Sequence, residues 1–328
     1  MNIQGMKSLS RRRLMGSIAC AGLVPALAGC LNSLAPLRVG SIVFPGYELL
    51  FLARERGLLD PQAVRLVELF SNTDTLRALV ADQLEAACLT LDEVLSARAE
   101  GLDLRVVLIL DQSLGADVVV SRKPLPGLFA LRGKRIAVED SAAGALMLGA
   151  LLQAAGLKVA DVVKVPMTLD QSLAYFSQGR ADAVVTAEPW AGQMQAAGGV
   201  RLFDSRAIPG RIVDVLAVQA KFLDVYQAAL QQLVNAHFDA VRFMRDQPVQ
   251  ASRLMAPRLQ IAEADVPAAF RGLALPGRQD NVVMLTPKGS FLTSVDALQG
   301  DMLRDGLLHK RLQPGDWVDS RFLAARQS

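Results

Sequence analysis

The chain has 328 residues, 52% of them hydrophobic and 20% charged, with 35 Lys and Arg against 32 Asp and Glu for a net charge of +3. About 300 residues of that composition can bury one or two cores. So small a net charge excludes the basic surface that nucleic acid requires, and no nucleic-acid partner is expected.

Residues 1–29 read as an export address. Lys7, Arg11, Arg12 and Arg13 form a basic head, and the apolar run "LMGSIACAGLVPALAG" follows. That run is shorter than the roughly 20 residues of a membrane-spanning helix. "LAGC", Leu27 to Cys30, looks like a lipobox, which predicts a signal peptide over 1–29 and a lipid-modified Cys30 as the first mature residue. The expected location is periplasmic, with the protein tethered to a membrane by acyl chains that each contribute about 0.8 kcal/mol per buried CH₂. "SRRRLM" from Ser10 resembles a twin-arginine export signal, and an arginine-rich general secretory signal fits the same residues. The signal holds four basic and no acidic side chains, so the remainder carries 31 against 32 and a net charge of −1. Cys20 leaves with the signal and Cys30 takes the lipid. Cys88 in "AACLT" then stands alone, as a buried structural cysteine that forms no disulfide.

The body alternates strands with helices. Strands are predicted at 37–43, 64–70, 85–90 and 104–111, and "YELLFLARERGLL", "TDTLRALVADQL" and "LDEVLSARAEG" carry apolar residues at helical spacing between them. That order predicts a parallel sheet with helical crossovers. A Pro- and Gly-bearing stretch, "SRKPLPGLFALRG", leads into a second unit. Its strands are expected at 134–140, 161–167, 181–187 and 200–204, with helices near 142–155, 168–178 and 189–197. "GADVVVS" (115–121) and "IVDVLAVQ" (212–219) read as connectors between the units, and long helical patterns follow from Tyr226 onward. The expected fold class is α/β, with two lobes joined by two crossing strands. Lobe I spans 30–114 and 215–328 with the C-terminal helices, and lobe II spans 115–214 with the hinge strands. Ligands in such open sheets bind at the carboxyl ends of the strands, here between the lobes.

"FPGYELLFLARERGLLD", "TLRALVADQLEAACLTLDEVL", "LRGKRIAVED" and "ADAVVTAEPW", in this order, resemble the substrate-binding proteins of ABC importers. The class concerned takes up nitrate, taurine, aliphatic sulfonates and thiamine-pyrimidine precursors. The resemblance covers roughly residues 37 to 245. It implies a type II periplasmic-binding-protein fold and a monomer that binds a small molecule without catalysis or cofactor, then delivers it to a permease and ATPase complex in the membrane.

The candidate ligand-binding residues sit where strands hand over to helices. In "FPGYE", Gly46 permits a tight turn, and Phe44 and Tyr47 are placed either to stack on a guest or to pack under the loop. "SNTD" supplies Ser71, Asn72 and Thr73, with Asp74 behind them; these are capping residue types, and a helix N-terminus also suits an anionic head group. Similar polar starts recur at Thr90 and Asp92 and, in the second unit, at Asp140, Ser141 and Gly144. "TAEPW" adds Thr186, Glu188 as the expected N-cap, Pro189 at the first helical position, and Trp190. Asp117 and Asp214 occupy matching places in the two connectors, inside apolar runs where an aspartate needs a donor. These turns contain carboxylates and no Arg or Lys, which favours a zwitterionic or amine-bearing solute over an inorganic anion.

Two other functions fit parts of the sequence. A lipid-tethered sensor would present the same closed lobes to a receptor kinase, because fold does not fix function. An enzyme related to pyrimidine synthases would need a histidine and clustered cysteines. His237 and His309 instead lie in late helical patterns, and there is no Cys/His metal spacing, GxSxG or P-loop.

Overall fold

The computed structural model describes residues 34–313 and 315–324; the signal segment and Cys30 lie outside the described residues. Eleven strands among them form two sheets. The first sheet contains β1 (Leu37–Ser41), β2 (Val64–Glu68), β3 (Ala86–Thr90), β4 (Leu104–Ser113), β10 (Val213–Gln219) and β11 (Leu273–Ala274), in the order β11-β4-β10-β3-β1-β2. The second contains β5 (Asp117–Ser121), β6 (Arg135–Glu139), β7 (Val163–Met167), β8 (Ala183–Ala187) and β9 (Val200–Asp204), in the order β7-β6-β8-β5-β9.

The helices cover these sheets. They are α1 (Glu48–Glu55), α2 (Asn72–Val80), α3 (Leu91–Ala99), α4 (Ala142–Ala155), α5 (Ser172–Ser177), α6 (Trp190–Ala196), α7 (Gln227–Asp246), α8 (Pro248–Leu259), α9 (Val266–Ala269), α10 (Arg278–Met284) and α11 (Ser290–Arg304). None among the described residues is long and apolar enough to cross a membrane.

The two sheets repeat one plan. In each, two parallel pairs surround a central strand: β1 lies between β2 and β3, and β6 between β7 and β8. Helices α1, α2, α4 and α5 supply the crossovers, as the parallel direction requires. A fourth strand then joins antiparallel, β10 beside β3 and β5 beside β8. Central strands have both faces covered, so β3 ("AACLT") and β10 ("VDVLAVQ") are buried at every residue. Cys88 is among them, buried in β3.

Two stretches read as connectors are sheet strands, because their apolar runs are long enough to fill a central position. "GADVVVS" holds β5 of the second sheet, and "IVDVLAVQ" holds β10 of the first. The chain crosses between sheets at 114–116 and again at 205–212. Asp214 therefore pairs with Thr90 and Asp111 in the first sheet, rather than closing the second lobe. The crossings are stitched together: Ser113 Oγ and Ser205 Oγ lie 2.7 Å apart, and the Gly115 N–H donates to Ser205 Oγ at 2.7 Å.

Candidate ligand-binding site

The carboxyl ends of β1, β3, β6 and β8 face one another across a cavity whose wall includes Ile42, Thr90, Glu139, Thr186 and Ala187. It is small, with about 60 Å³ open to the centre of a water molecule. That holds several waters or a molecule of a few heavy atoms.

Nine of the fifteen residues named from the sequence line it: Phe44, Tyr47, Asn72, Thr90, Asp117, Ser141, Gly144, Thr186 and Asp214. Register explains the two aspartates. Asp117 opens β5 opposite Ala187 at the end of β8, and Asp214 stands near the start of β10 opposite Thr90 at the end of β3. The repeated plan thus delivers one aspartate to each side of the gap. The Tyr47 hydroxyl donates to Asp214 Oδ1 at 2.5 Å, and the Phe44 and Tyr47 rings meet edge to face with centroids 5.2 Å apart. Ser141 caps α4, its Oγ accepting the Gly144 N–H at 3.1 Å.

The other six lie outside the cavity wall, and each has a local reason. Ser71 caps α2: its Oγ accepts the Asp74 N–H at 3.1 Å, and its hydroxyl donates to Asp74 Oδ2 at 2.8 Å. Thr73 reaches across the gap, its hydroxyl donating to the Asp140 carbonyl at 3.1 Å. Asp92 is fully buried in the first turn of α3, behind the wall. Gly46 is required by packing, since a Cβ there would sit 1.8 Å from Asp111 Oδ2. Glu188 is not the N-cap: Pro189 holds that position and α6 begins at Trp190. The buried Glu188 carboxylate instead turns to the helix start and accepts the Gly192 N–H at 2.9 Å, which points it away from the cavity. Trp190, half-buried, lines a separate outer groove.

Gly144 lines the cavity for a different reason than ligand access. A Cβ there would meet the Glu139 carbonyl oxygen at 2.4 Å, so the glycine admits the turn itself. Asp74 and Asp140, also expected at the crevice, face outward and pair with Arg77 and Lys164.

Sequence reasoning missed Glu139, Asp111, Met147 and Leu169. Glu139 ends β6 and lines the cavity; alternation along the strand was the available signal. Asp111 lies opposite Asp214 in the β4–β10 register, and its place in "VVLILDQS" was the clue. Met147 stands one turn beyond Ala143 and Gly144 on the same face of α4.

Burial governs the electrostatics. It raises the Asp117 carboxyl to about 6 and Asp92 to about 6, and raises Glu139 and Glu188 above their usual range. Burial likewise pushes Asp214 up to about 7, although hydrogen bonds from Asp111 and Tyr47 pull the other way. Asp111 is pushed well above the usual carboxylate range by burial and then by the Asp214 charge beside it. Asp117 Oδ2 and Glu139 Oε1 are buried without a hydrogen-bond partner. Among the described residues no Lys or Arg lines the cavity. The wall therefore presents more acceptors than the protein's own donors satisfy. Among the described residues no cluster of His, Cys, Asp and Glu is arranged to hold a metal ion.

Known proteins share this architecture. A curated relative in Brucella abortus (strain 2308), named "Putative binding protein", is 22% identical over 97% of this chain and all of its own length. The periplasmic aliphatic sulphonate binding protein SsuA from Escherichia coli has a TM-score of 0.67 at 21% identity, covering 85% of this chain and 95% of that one. The desulfurization enzyme DszB has a TM-score of 0.62 at 22% identity, covering 87% of this chain and 97% of that one. The fold is that of periplasmic binding proteins of the SsuA type, and it also carries an enzyme. Residues 32–259, more than two thirds of the sequence, match the family model described as NMT1-like. The chain belongs to the NMT1-like family.

Proposed function

We propose that the protein is an extracytoplasmic solute-binding lipoprotein that captures a small amine-bearing or zwitterionic solute between its two sheets and delivers it to an ABC importer. The observation that carries this reading is the pair of buried, unpartnered acceptors, Asp117 Oδ2 and Glu139 Oε1, in a wall without Lys or Arg. An ammonium or amino group supplies the missing donors and the missing charge together. The free N–H groups at the start of α4, beside Ser141, offer a place for the anionic end of a zwitterion. Thr186 and the Phe44 and Tyr47 rings complete the enclosure.

The residues support binding rather than chemistry. Among the described residues no histidine or cysteine lines the cavity, and burial pushes the Cys88 thiol far above its usual range, away from the nucleophilic form. The carboxylates are placed to hold a charge.

Binding and closure are linked. A solute that touches Asp214 in the first sheet and Asp117 in the second makes both contacts only when the sheets are close. It shifts the open–closed balance by its differential affinity for the closed form, which is the shape a permease reads. A thermal-shift screen of the mature chain against taurine, alkanesulfonates, nitrate, polyamines and thiamine precursors tests the reading. Amine-bearing compounds are expected to raise the melting temperature, by mass action on the folded state. A response to nitrate and simple sulfonates alone would overturn it.

A further inference from the structure

Beside the inner cavity lies an outer groove with about 520 Å³ open to the centre of a water molecule, against about 60 Å³ inside. The two spaces share Ile42 and Leu169 in their walls. Phe70, Leu173 and Trp190 line the groove on its outer side. Phe70 is 80% exposed, an aromatic ring left in water immediately before the α2 cap. The charged members of the groove are already engaged. Arg258 pairs with Glu48 and Glu68 and donates to the Ile42 carbonyl, while Asp170 accepts the Thr168 hydroxyl at 2.5 Å. Among the described residues no free cation lines the groove; Ser177, Gln178, Gln193 and Gln260 stand in its wall, but the larger share of the exposed surface is apolar.

We propose that this groove is a second subsite, which takes the apolar tail of the same solute whose amine end sits in the inner cavity. The inference rests on the amine reading of that cavity and narrows it. The ligand class becomes a primary amine carrying an aliphatic chain or a single aromatic ring, with the tail passing between Ile42 and Leu169 to lie against Trp190 and Phe70. Polar demand inside and apolar surface outside are then met by one molecule, which a cavity of a few heavy atoms cannot do alone. Trp190, outside the inner wall, gains a role as the platform for the tail.

The test is a homologous series of n-alkylamines, from propylamine to octylamine, titrated into the full mature protein by calorimetry. Tryptophan fluorescence provides a second signal, because the chain has two tryptophans and the other, Trp317, is buried. Affinity is expected to rise with chain length, by up to about four-fold per methylene where the added group is fully buried. Trp190→Ala and Phe70→Ser are expected to flatten that dependence; Phe70 is so exposed that its variant leaves the core intact. If amines bind with equal affinity at every length, or if both variants keep the full dependence, the second subsite is overturned while the inner-cavity reading stands. If no amine binds, the inner-cavity reading falls and takes this inference with it.

Discussion

Carboxylates at the cleft and carboxylates paired with arginine live under opposite rules. Asp204 is held by Arg206 and Arg201, and Asp182 by Arg135; in both cases the arginine hydrogen bond pulls the carboxyl below its ordinary range. At the cleft, Asp117, Asp214 and Glu139 have no such cation, and burial pushes all three upward. The arginine pairs are complete in the protein alone. The cleft set has no Lys or Arg beside it among the described residues, and that separates the two groups.

Removing one cleft carboxylate is expected to have the largest effect. Asp117→Ala or Asp214→Ala should weaken an amine-bearing ligand by about 100-fold or more, the scale of losing one partner of a buried charge pair. Asp60→Ala, on an exposed loop, should leave affinity unchanged. Equal losses by calorimetry at all three positions would erase the distinction between the two regions.

Acidity separates the regions by sign. Asp214 and Asp117 have raised values in the folded chain, so the folded state holds their protons more tightly than the unfolded one. Their contribution to stability is fully present below the unfolded value near 4 and is lost as pH rises through about 6 to 7. Asp204 is lowered, so its contribution is present above that unfolded value and lost as pH falls below it. Thermal melts of the ligand-free protein at pH 8 should therefore show Asp214→Asn raising the melting temperature and Asp204→Asn lowering it by under about 3 °C. Ligand affinity should run against the apo trend, weakening as pH drops from 8 to 5, because a cation favours the ionised carboxylates. Melts that move the same way for both variants would contradict the assignment.

The smallest effect tests packing. Gly46→Ala places a methyl against Asp111, and such overpacking costs about 1–3 kcal/mol. Adding Asp111→Ala should restore most of the lost stability, as read from denaturant midpoints. A double variant no better than the single one would place the strain elsewhere.

Much of the fold was legible because strand and helix periods are written locally. Helix α4 runs over 142–155 as its pattern predicts, and "AACLT" reads as a strand covered on both faces. The two crossing strands were legible as apolar runs, whereas the sheet that takes each one shows only in the pairing. Within the site, Asp117 and Asp214 stood out as charges in apolar runs. Glu139 did not, because its neighbours Asp140 and Ser141 look equally polar, and only the alternation of β6 decides which of them faces the gap. Glu188 and Trp190 shifted because the helix starts one residue late, which turns one side chain to cap it and the other to the groove.

The hydrogen bond from the Thr73 hydroxyl to the Asp140 carbonyl has a kinetic meaning. It joins the helix that follows β2 to the turn that follows β6, beside the Asn72 and Ser141 positions that line the cavity. A bond of this kind nets about 1 kcal/mol, weak enough for thermal motion to undo many times a second. If a solute can enter only while it is undone, the rate of uptake tracks how often it parts, and strengthening that bond would slow arrival and departure together.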